Sequence, residues 1–313
     1  MNTMKNKIDF RNVIFNELIK IRKKNKNLTI LSADLSAYTL DIFKKQFPKN
    51  FINLGITEHG MISIASGMAM CNKKVFAFSM IPFLILRSFE HLKVDISCTN
   101  MPVTLIGLGS GLSFDNAGPT AHSTTDIGLM RNLHNFTIFN PSDPSTAAFS
   151  ITESYKLNNP SYVRLDKSQQ SILYKKKTNF KNGYIETKGN SDICVISTGI
   201  MVHIAFELKE KFKNIGVDIS ILDLFIIQPI NEKKLVNIIK RYKKIIILDE
   251  NTYDGGISIL IDSLVGKNYI KCKKLLFCLP KEHCFKYGSR SWLHKIFQLD
   301  GNSIYKNIKK IWF

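Results

Sequence analysis

The chain has 313 residues, with 44 Lys and Arg against 25 Asp and Glu for a formal charge of +19, and 44% hydrophobic residues, enough to fill the cores of two ordinary domains. No apolar run reaches the roughly 18 residues a membrane-spanning helix needs, which excludes a helical membrane protein. The charge could advertise a nucleic-acid partner through counterion release, but the lysines are scattered over segments such as 20–26, 175–177 and 233–234, and read as solvated faces with no nucleic acid implied.

The first ten residues are polar and lead into a helical pattern without a leader-like apolar core, so a cytoplasmic protein is expected. Ile14, Leu18 and Ile21 predict an amphipathic helix over 11–25. Short apolar strands follow near 28–33, 74–80 and 102–107, alternating with helical segments, which implies right-handed crossovers and a parallel sheet covered on both faces. A polar stretch rich in Lys, Asn and Gly reads as a linker over 176–190. Beyond it the pattern restarts. Strands near 192–198, 217–223 and 243–249 bracket one helix with Ile200, Ile204, Leu208 and Phe212 on a single stripe and another carrying Leu235, Ile238 and Ile239. The expected organisation is a first domain over 1–175 and a smaller α/β domain over 191–313. Six cysteines, at 71, 98, 194, 272, 278 and 284, form no CxxC pair and are read as reduced core residues. Cys272, Cys278, His283 and Cys284 lack the close ligand spacing of a zinc knuckle, so no metal ligands are assigned.

Chemistry concentrates in Asn53-Leu54-Gly55-Ile56-Thr57-Glu58-His59-Gly60. One carboxylate stands there at the edge of a glycine-softened turn, before a helix of small residues running to Met70. Such a helix packs closely against a neighbour and holds Glu58 near an interface, where a buried carboxyl can exchange a proton. Glu58 could equally be a first-turn residue that complements the helix dipole.

The octet resembles the Gly-Ile-x-Glu signature of the thiamine diphosphate enzymes of the transketolase family. Other segments match that family in order along nearly the whole chain: Ser32-Ala33-Asp34-Leu35-Ser36, Phe83 to Glu90, Ala117-Gly118-Pro119-Thr120, Asn140-Pro141-Ser142-Asp143, Tyr162-Val163-Arg164, Ser197-Thr198-Gly199, and Asp249-Glu250-Asn251 through Gly255-Gly256. The implied fold is α/β, with two doubly wound domains: a pyrimidine-binding domain and a smaller C-terminal domain. The family's Gly-Asp-Gly motif with a distant Asn does not occur in the sequence. The resemblance therefore implies a separate N-terminal subunit that carries this motif and holds most of the Mg2+ and diphosphate, in an α2β2 assembly.

The resemblance assigns Glu58 to the aminopyrimidine of thiamine diphosphate, where sharing a proton with a ring nitrogen sets the tautomer. Phe83, with Phe78 and Phe89, would stack on or near that ring, each being otherwise a core aromatic. Arg87 would brace the interface by ion pairing. His122 would be an acid, base or hydroxyl ligand, and Arg164 a phosphate ligand through its forked donors. Three departures stand out: Ala117 and Ala121 replace the family's Asp and His around Gly-Pro-Thr, and Gly109 stands where an upstream His is usual. Asp115 and Asp126 could take over lost polar contacts, or cap local structure. The implied activity is transfer of a two-carbon ketol unit between sugars, phosphorylated or nucleotide-linked. Two alternatives stay open: the β subunit of a 2-oxoacid dehydrogenase, against which the His59 and His122 pattern speaks, and a catalytically silent scaffold.

Overall fold

The computed structural model of the chain describes residues 7–175 and 177–313. The polar N-terminal stretch 1–6 and the first linker residue, Lys176, lie outside the described residues. In chain order the first half runs α1 (Phe10–Lys24), β1 (Leu28–Ser32), α2 (Tyr38–Gln46), β2 (Phe51–Asn53), α3 (Glu58–Met70) and β3 (Lys74–Met80). Two π-helical turns, Pro82–Arg87 and Leu92–Ser97, flank the single turn α4 (Phe89–His91). Then come β4 (Val103–Leu108), α5 (Asp126–Arg131), β5 (Thr137–Phe139), α6 (Pro144–Lys156) and β6 (Ser161–Leu165). The second half runs β7 (Tyr184–Thr187), β8 (Ile193–Ser197), α7 (Met201–Lys213), β9 (Ser220–Leu224), β10 (Ile226–Gln228), α8 (Glu232–Ile239), β11 (Lys244–Thr252), α9 (Ile257–Lys267), β12 (Lys273–Leu279), α10 (Arg290–Ile296) and α11 (Gly301–Trp312).

These elements build two sheets. The first has seven strands in the order β10-β5-β6-β4-β3-β1-β2, all parallel except β10, which pairs antiparallel with β5 through Ile226 and Phe139. The second has five, in the order β12-β11-β8-β9-β7, with only β7 antiparallel. Central strands such as β1, β4 and β6 are buried along their whole length, as parallel strands covered on both faces must be. One face of the first sheet packs Phe76, Phe78, Ile106 and Val163 against Phe10, Phe15 and Leu18 of α1. The other packs Val75, Ala77 and Leu105 against Met61, Ile62 and Ala65 of α3, and this second core continues into the five-stranded sheet. The alternation of α and β read from the sequence thus folds into two doubly wound parallel sheets.

The stretch read as a linker over 176–190 contains β7, whose Glu186 lies opposite Leu222 of β9. Its four residues are all half-buried, so the strand shows no sequence alternation to announce it. The cysteines divide: Cys194 and Cys284 are buried, Cys272 and Cys278 half-buried, while Cys71 and Cys98 are exposed and correct the core reading for those two. Cys71 caps the C-terminus of α3 and Cys98 follows a π turn, so both fall where an element ends at the surface. Among the described residues no helix is long and apolar enough to cross a membrane.

Candidate active site

Gly55, at φ +73°, turns the chain after β2, and three residues later Glu58 opens α3 with 2% of its surface exposed. The small residues of α3 let it seat closely. Ser66 Oγ donates to the Asp95 carbonyl at 2.7 Å and Ser63 Oγ to the Asp95 carboxylate at 2.6 Å, which ties the helix to the turn Leu92–Ser97. Two donors converge on Glu58. Ser79 Oγ, near the C-terminal end of β3, reaches Oε1 at 3.2 Å, and Arg87 Nη1 reaches Oε2 at 2.8 Å. The Arg87 guanidinium also lies over the half-buried Phe83 ring, 4.6 Å from its centroid. Ile56, two residues before Glu58, Ile64 on the same helix and Leu86, next to Arg87, are exposed apolar side chains. The site sits beyond the carboxyl ends of parallel strands, the usual ligand position in such sheets.

Of the three phenylalanines expected at the cofactor, Phe83 alone contacts the Glu58 group. Phe89 is half-buried and packs on the apolar core. Phe78 requires correction: it is fully buried on the opposite face of the sheet, edge-on to Phe15 at 5.1 Å. Strand parity is the reason. Side chains alternate along β3, so when Ser79 faces Glu58 its neighbour Phe78 must face α1. Ser79 went unnoticed in the sequence for the same reason, since nothing local says which of two adjacent residues looks at α3. His59 points to the surface and its ring lies 5.7 Å from that of His91.

The loop after β4 explains one departure. Gly109 has φ +103°, and a Cβ there would lie 2.2 Å from the Phe114 ring, so glycine is required by the backbone and by Phe114. Asp115 is half-buried; its Oδ1 accepts from the Asn116 amide at 3.0 Å and its Oδ2 from the Arg290 amide at 2.9 Å, so it anchors the start of α10. Ala117 is exposed and Ala121 buried. His122 lines a pocket with Leu112, Pro119, Thr124, His283 and Cys284, at the junction with the second domain. Neither ring nitrogen has a hydrogen-bond partner. Burial holds the imidazole below its ordinary value, against the pull of the Glu250 and Asp115 charges. No hydrogen bond among the described residues joins His122 to Glu58.

Arg164 lies inside the protein. It is 4% exposed, and two of its three nitrogens are engaged at short range within the protein: Nε and Nη2 on Asp126 at 2.8 and 3.1 Å, Nη2 also on the Ser123 carbonyl at 2.7 Å and on Asn251 Oδ1 at 2.8 Å. The Tyr162 hydroxyl, two residues back on the same face of β6, donates to Asp126 at 2.8 Å. A guanidinium with Nε and Nη2 used this way is a strut between the domains, with Nη1 left to a 3.4 Å contact on Asn140 Oδ1, and Asp126 is its counter-ion. A second buried cluster, missed in the sequence, lies alongside. Arg290 donates to Glu250 through Nε at 2.7 Å and through Nη2, and to Asp166 through Nη1 at 2.6 Å; His294 Nε2 meets the same Glu250. Burial alone would push the Glu250 carboxyl up, but Arg290 and then His294 hold it well below the usual carboxylate range. Its members are 166, 250, 290 and 294, too far apart in sequence for any local motif to reveal.

Residues 6–171 match the family described as transketolase, pyrimidine binding domain, and residues 183–304 match transketolase, C-terminal domain. The chain therefore belongs to the transketolase family, and as a unit it corresponds to the C-terminal section of a transketolase-type transferase. A similar protein is a subunit of the apulose-4-phosphate transketolase of Actinobacillus succinogenes, 29% identical over 267 residues that span 85% of this chain and 86% of that one. Another is a putative transketolase C-terminal section from Methanocaldococcus jannaschii, 30% identical over 297 residues, 93% of this chain and 92% of that protein. Among solved structures, a split-gene transketolase described as an inactive beta4 tetramer superposes with a TM-score of 0.87 at 23% identity, over 97% of this chain and 98% of that one. Family membership implies dependence on thiamine diphosphate.

Proposed function

We propose that this chain is the catalytic C-terminal subunit of a two-subunit, cytoplasmic transketolase-type enzyme that moves a two-carbon ketol unit between sugars. The observation that carries the reading is Glu58, a buried carboxylate at a helix N-terminus, held by Ser79 and Arg87. The residues fit an aminopyrimidine. Glu58 offers further acceptor lone pairs for a ring nitrogen, Phe83 offers an aromatic face, and exposed Ile56, Ile64 and Leu86 on the segments that carry Glu58 and Arg87 would gain from a cover that excludes water. When bound, thiamine diphosphate supplies the electron sink for carbon–carbon bond cleavage and formation. What this chain contributes is orientation, exclusion of water and proton sharing at a Glu58 oxygen. A partner subunit with the Gly-Asp-Gly motif would hold Mg2+ and the diphosphate, and two such pairs would form the α2β2 unit.

The substrate is a sugar, phosphorylated or nucleotide-linked. With Arg164 committed to Asp126 and Asn251, and with no polar side chain at Gly109, Ala117 or Ala121, recognition shifts toward His122 and its pocket. The exposed rings of Phe285 and Tyr287, the latter against Gly118, support an activated sugar with a large non-reacting part. The test is calorimetric: thiamine diphosphate with Mg2+ is titrated into this chain alone and into its mixture with the Gly-Asp-Gly subunit. Tight binding only in the mixture is expected, and Glu58→Gln should then lower turnover by about 10²- to 10⁴-fold with assembly intact. Binding in neither case returns the chain to a scaffold role.

A further inference from the structure

We propose that Arg87 is a positioning residue that locks Glu58 and Phe83 into one rigid platform for the aminopyrimidine; the inference rests on the thiamine diphosphate reading above. Three observations converge on it. Arg87 ends the π-helical turn Pro82–Arg87, and the wide winding of that turn sets it beside Phe83, four residues earlier, so that the cation covers the ring at 4.6 Å. The same guanidinium bonds Glu58 Oε2 at 2.8 Å, the only cation among the described residues that does so. Arg87 is itself 43% exposed at the side chain while Glu58 is 3%, so the arginine stands on the solvent side of the carboxylate, where a ligand must approach.

The geometry gives Arg87 work that Ser79 cannot do. Ser79 is a neutral donor at 3.2 Å and fixes one oxygen weakly, whereas the charge-assisted bond at 2.8 Å fixes the other and with it the plane of the carboxylate. A carboxylate pinned at both oxygens points its remaining lone pairs in a fixed direction, and a ring pinned under a cation keeps a fixed tilt. Both conditions are what a planar heterocycle needs to meet hydrogen-bond acceptor and stacking face at once. Ser88 Oγ, donating to the Phe83 carbonyl at 3.2 Å, holds the turn that carries both residues. Arg87 touches no reacting atom in this scheme; it acts through Glu58 and Phe83.

The experiment uses the assembled pair of this chain with its Gly-Asp-Gly subunit, titrated with thiamine diphosphate and Mg2+, with melting followed in parallel. Arg87→Met keeps the length and loses the charge; about 10-fold weaker cofactor binding or more is expected, the scale of a lost hydrogen bond to a charged group. Arg87→Lys restores a cation within reach and should recover most of that loss. Should Met leave Glu58 unpaired and unfold the chain, Arg87→Gln, which keeps a neutral donor, takes its place in the comparison. Binding by Arg87→Met as tight as wild type or tighter would mean that Arg87 only covers the site, and would overturn the proposal. Equal losses in Met and Lys that track the melting temperature would assign it a packing role and overturn it too. If the wild-type pair binds no thiamine diphosphate, the reading of function falls first and the platform with it; if it binds and the variants do not differ, the platform alone falls.

Discussion

Asp223 is fully buried where the two sheets meet, with Ser142 Oγ and the Tyr174 hydroxyl donating to Oδ2 and with Oδ1 left without a partner. Burial pushes its carboxyl up to about 7, against those two hydrogen bonds, which favour the ionised form, and with added repulsion from Asp143. A carboxyl raised in the folded state stabilises the fold below its unfolded value, near 4, and that stabilisation is lost as pH rises through about 7. Asp223→Asn does not titrate and keeps an acceptor for Ser142 and Tyr174. Its melting temperature relative to wild type should therefore improve between pH 5 and pH 8; a difference that stays flat over that range would show that Asp223 is not the group responsible. The residue scale also shows how much of the site was legible in sequence. Glu58 was, because its turn, its helix and its small neighbours are all local. The ion pairing of Arg164 was not, because its partners Asp126 and Asn251 lie 38 and 87 residues away, and only the fold reveals that its Nε and Nη2 donors are already taken.

At the scale of elements, the position of Glu58 depends on α3 and on the turn Leu92–Ser97 that it packs against. Ser66 is 3% exposed and its hydroxyl reaches the Asp95 carbonyl. Ser66→Ala removes one hydrogen bond and should cost about 1 kcal/mol with cofactor binding retained. Ser66→Leu forces extra methylenes into the seam, costs about 1–3 kcal/mol, and tilts the N-terminus of the helix, so the paired enzyme should lose cofactor affinity beyond what its melting loss accounts for. Equal affinity in the two variants would separate the helix seat from the site. Several elements were legible from their apolar pattern: the helix expected over 11–25 is Phe10–Lys24, and the strand expected over 74–80 is Lys74–Met80. Among the elements not read from the sequence were two short edge strands. Tyr184–Thr187 and Ile226–Gln228 each bury only part of their surface, so composition around them, rich in Lys and Asn, outweighed their pattern.

At the scale of the whole molecule, the halves are joined by a polar seam as well as a shared core. Thr198 bonds Asn140, His203 bonds the Ser142 carbonyl, Arg164 spans to Asn251, and Arg290 bridges Asp166 of the first half to Glu250 of the second. Removing Arg290 leaves two carboxylates buried without their cation, and Arg290→Met should destabilise the chain by about 3–5 kcal/mol in denaturant titration. Because Glu250 is held below its ordinary value, its contribution is present above about pH 4.5 and is lost as pH falls, so the wild-type advantage over Arg290→Met should shrink in acid. An advantage independent of pH would place the stabilisation in packing of the arginine stem. The strand β10 of the second half leaves its own sheet and closes the edge of the first one against β5. The two halves are thus unequal lodgers: a fragment ending at the apparent linker would carry an open strand edge into solution, prone to recruit another copy of itself. A genetic cut between these domains would have to carry residues 226–228 across with the first, and the seam in the sequence is not where the molecule comes apart.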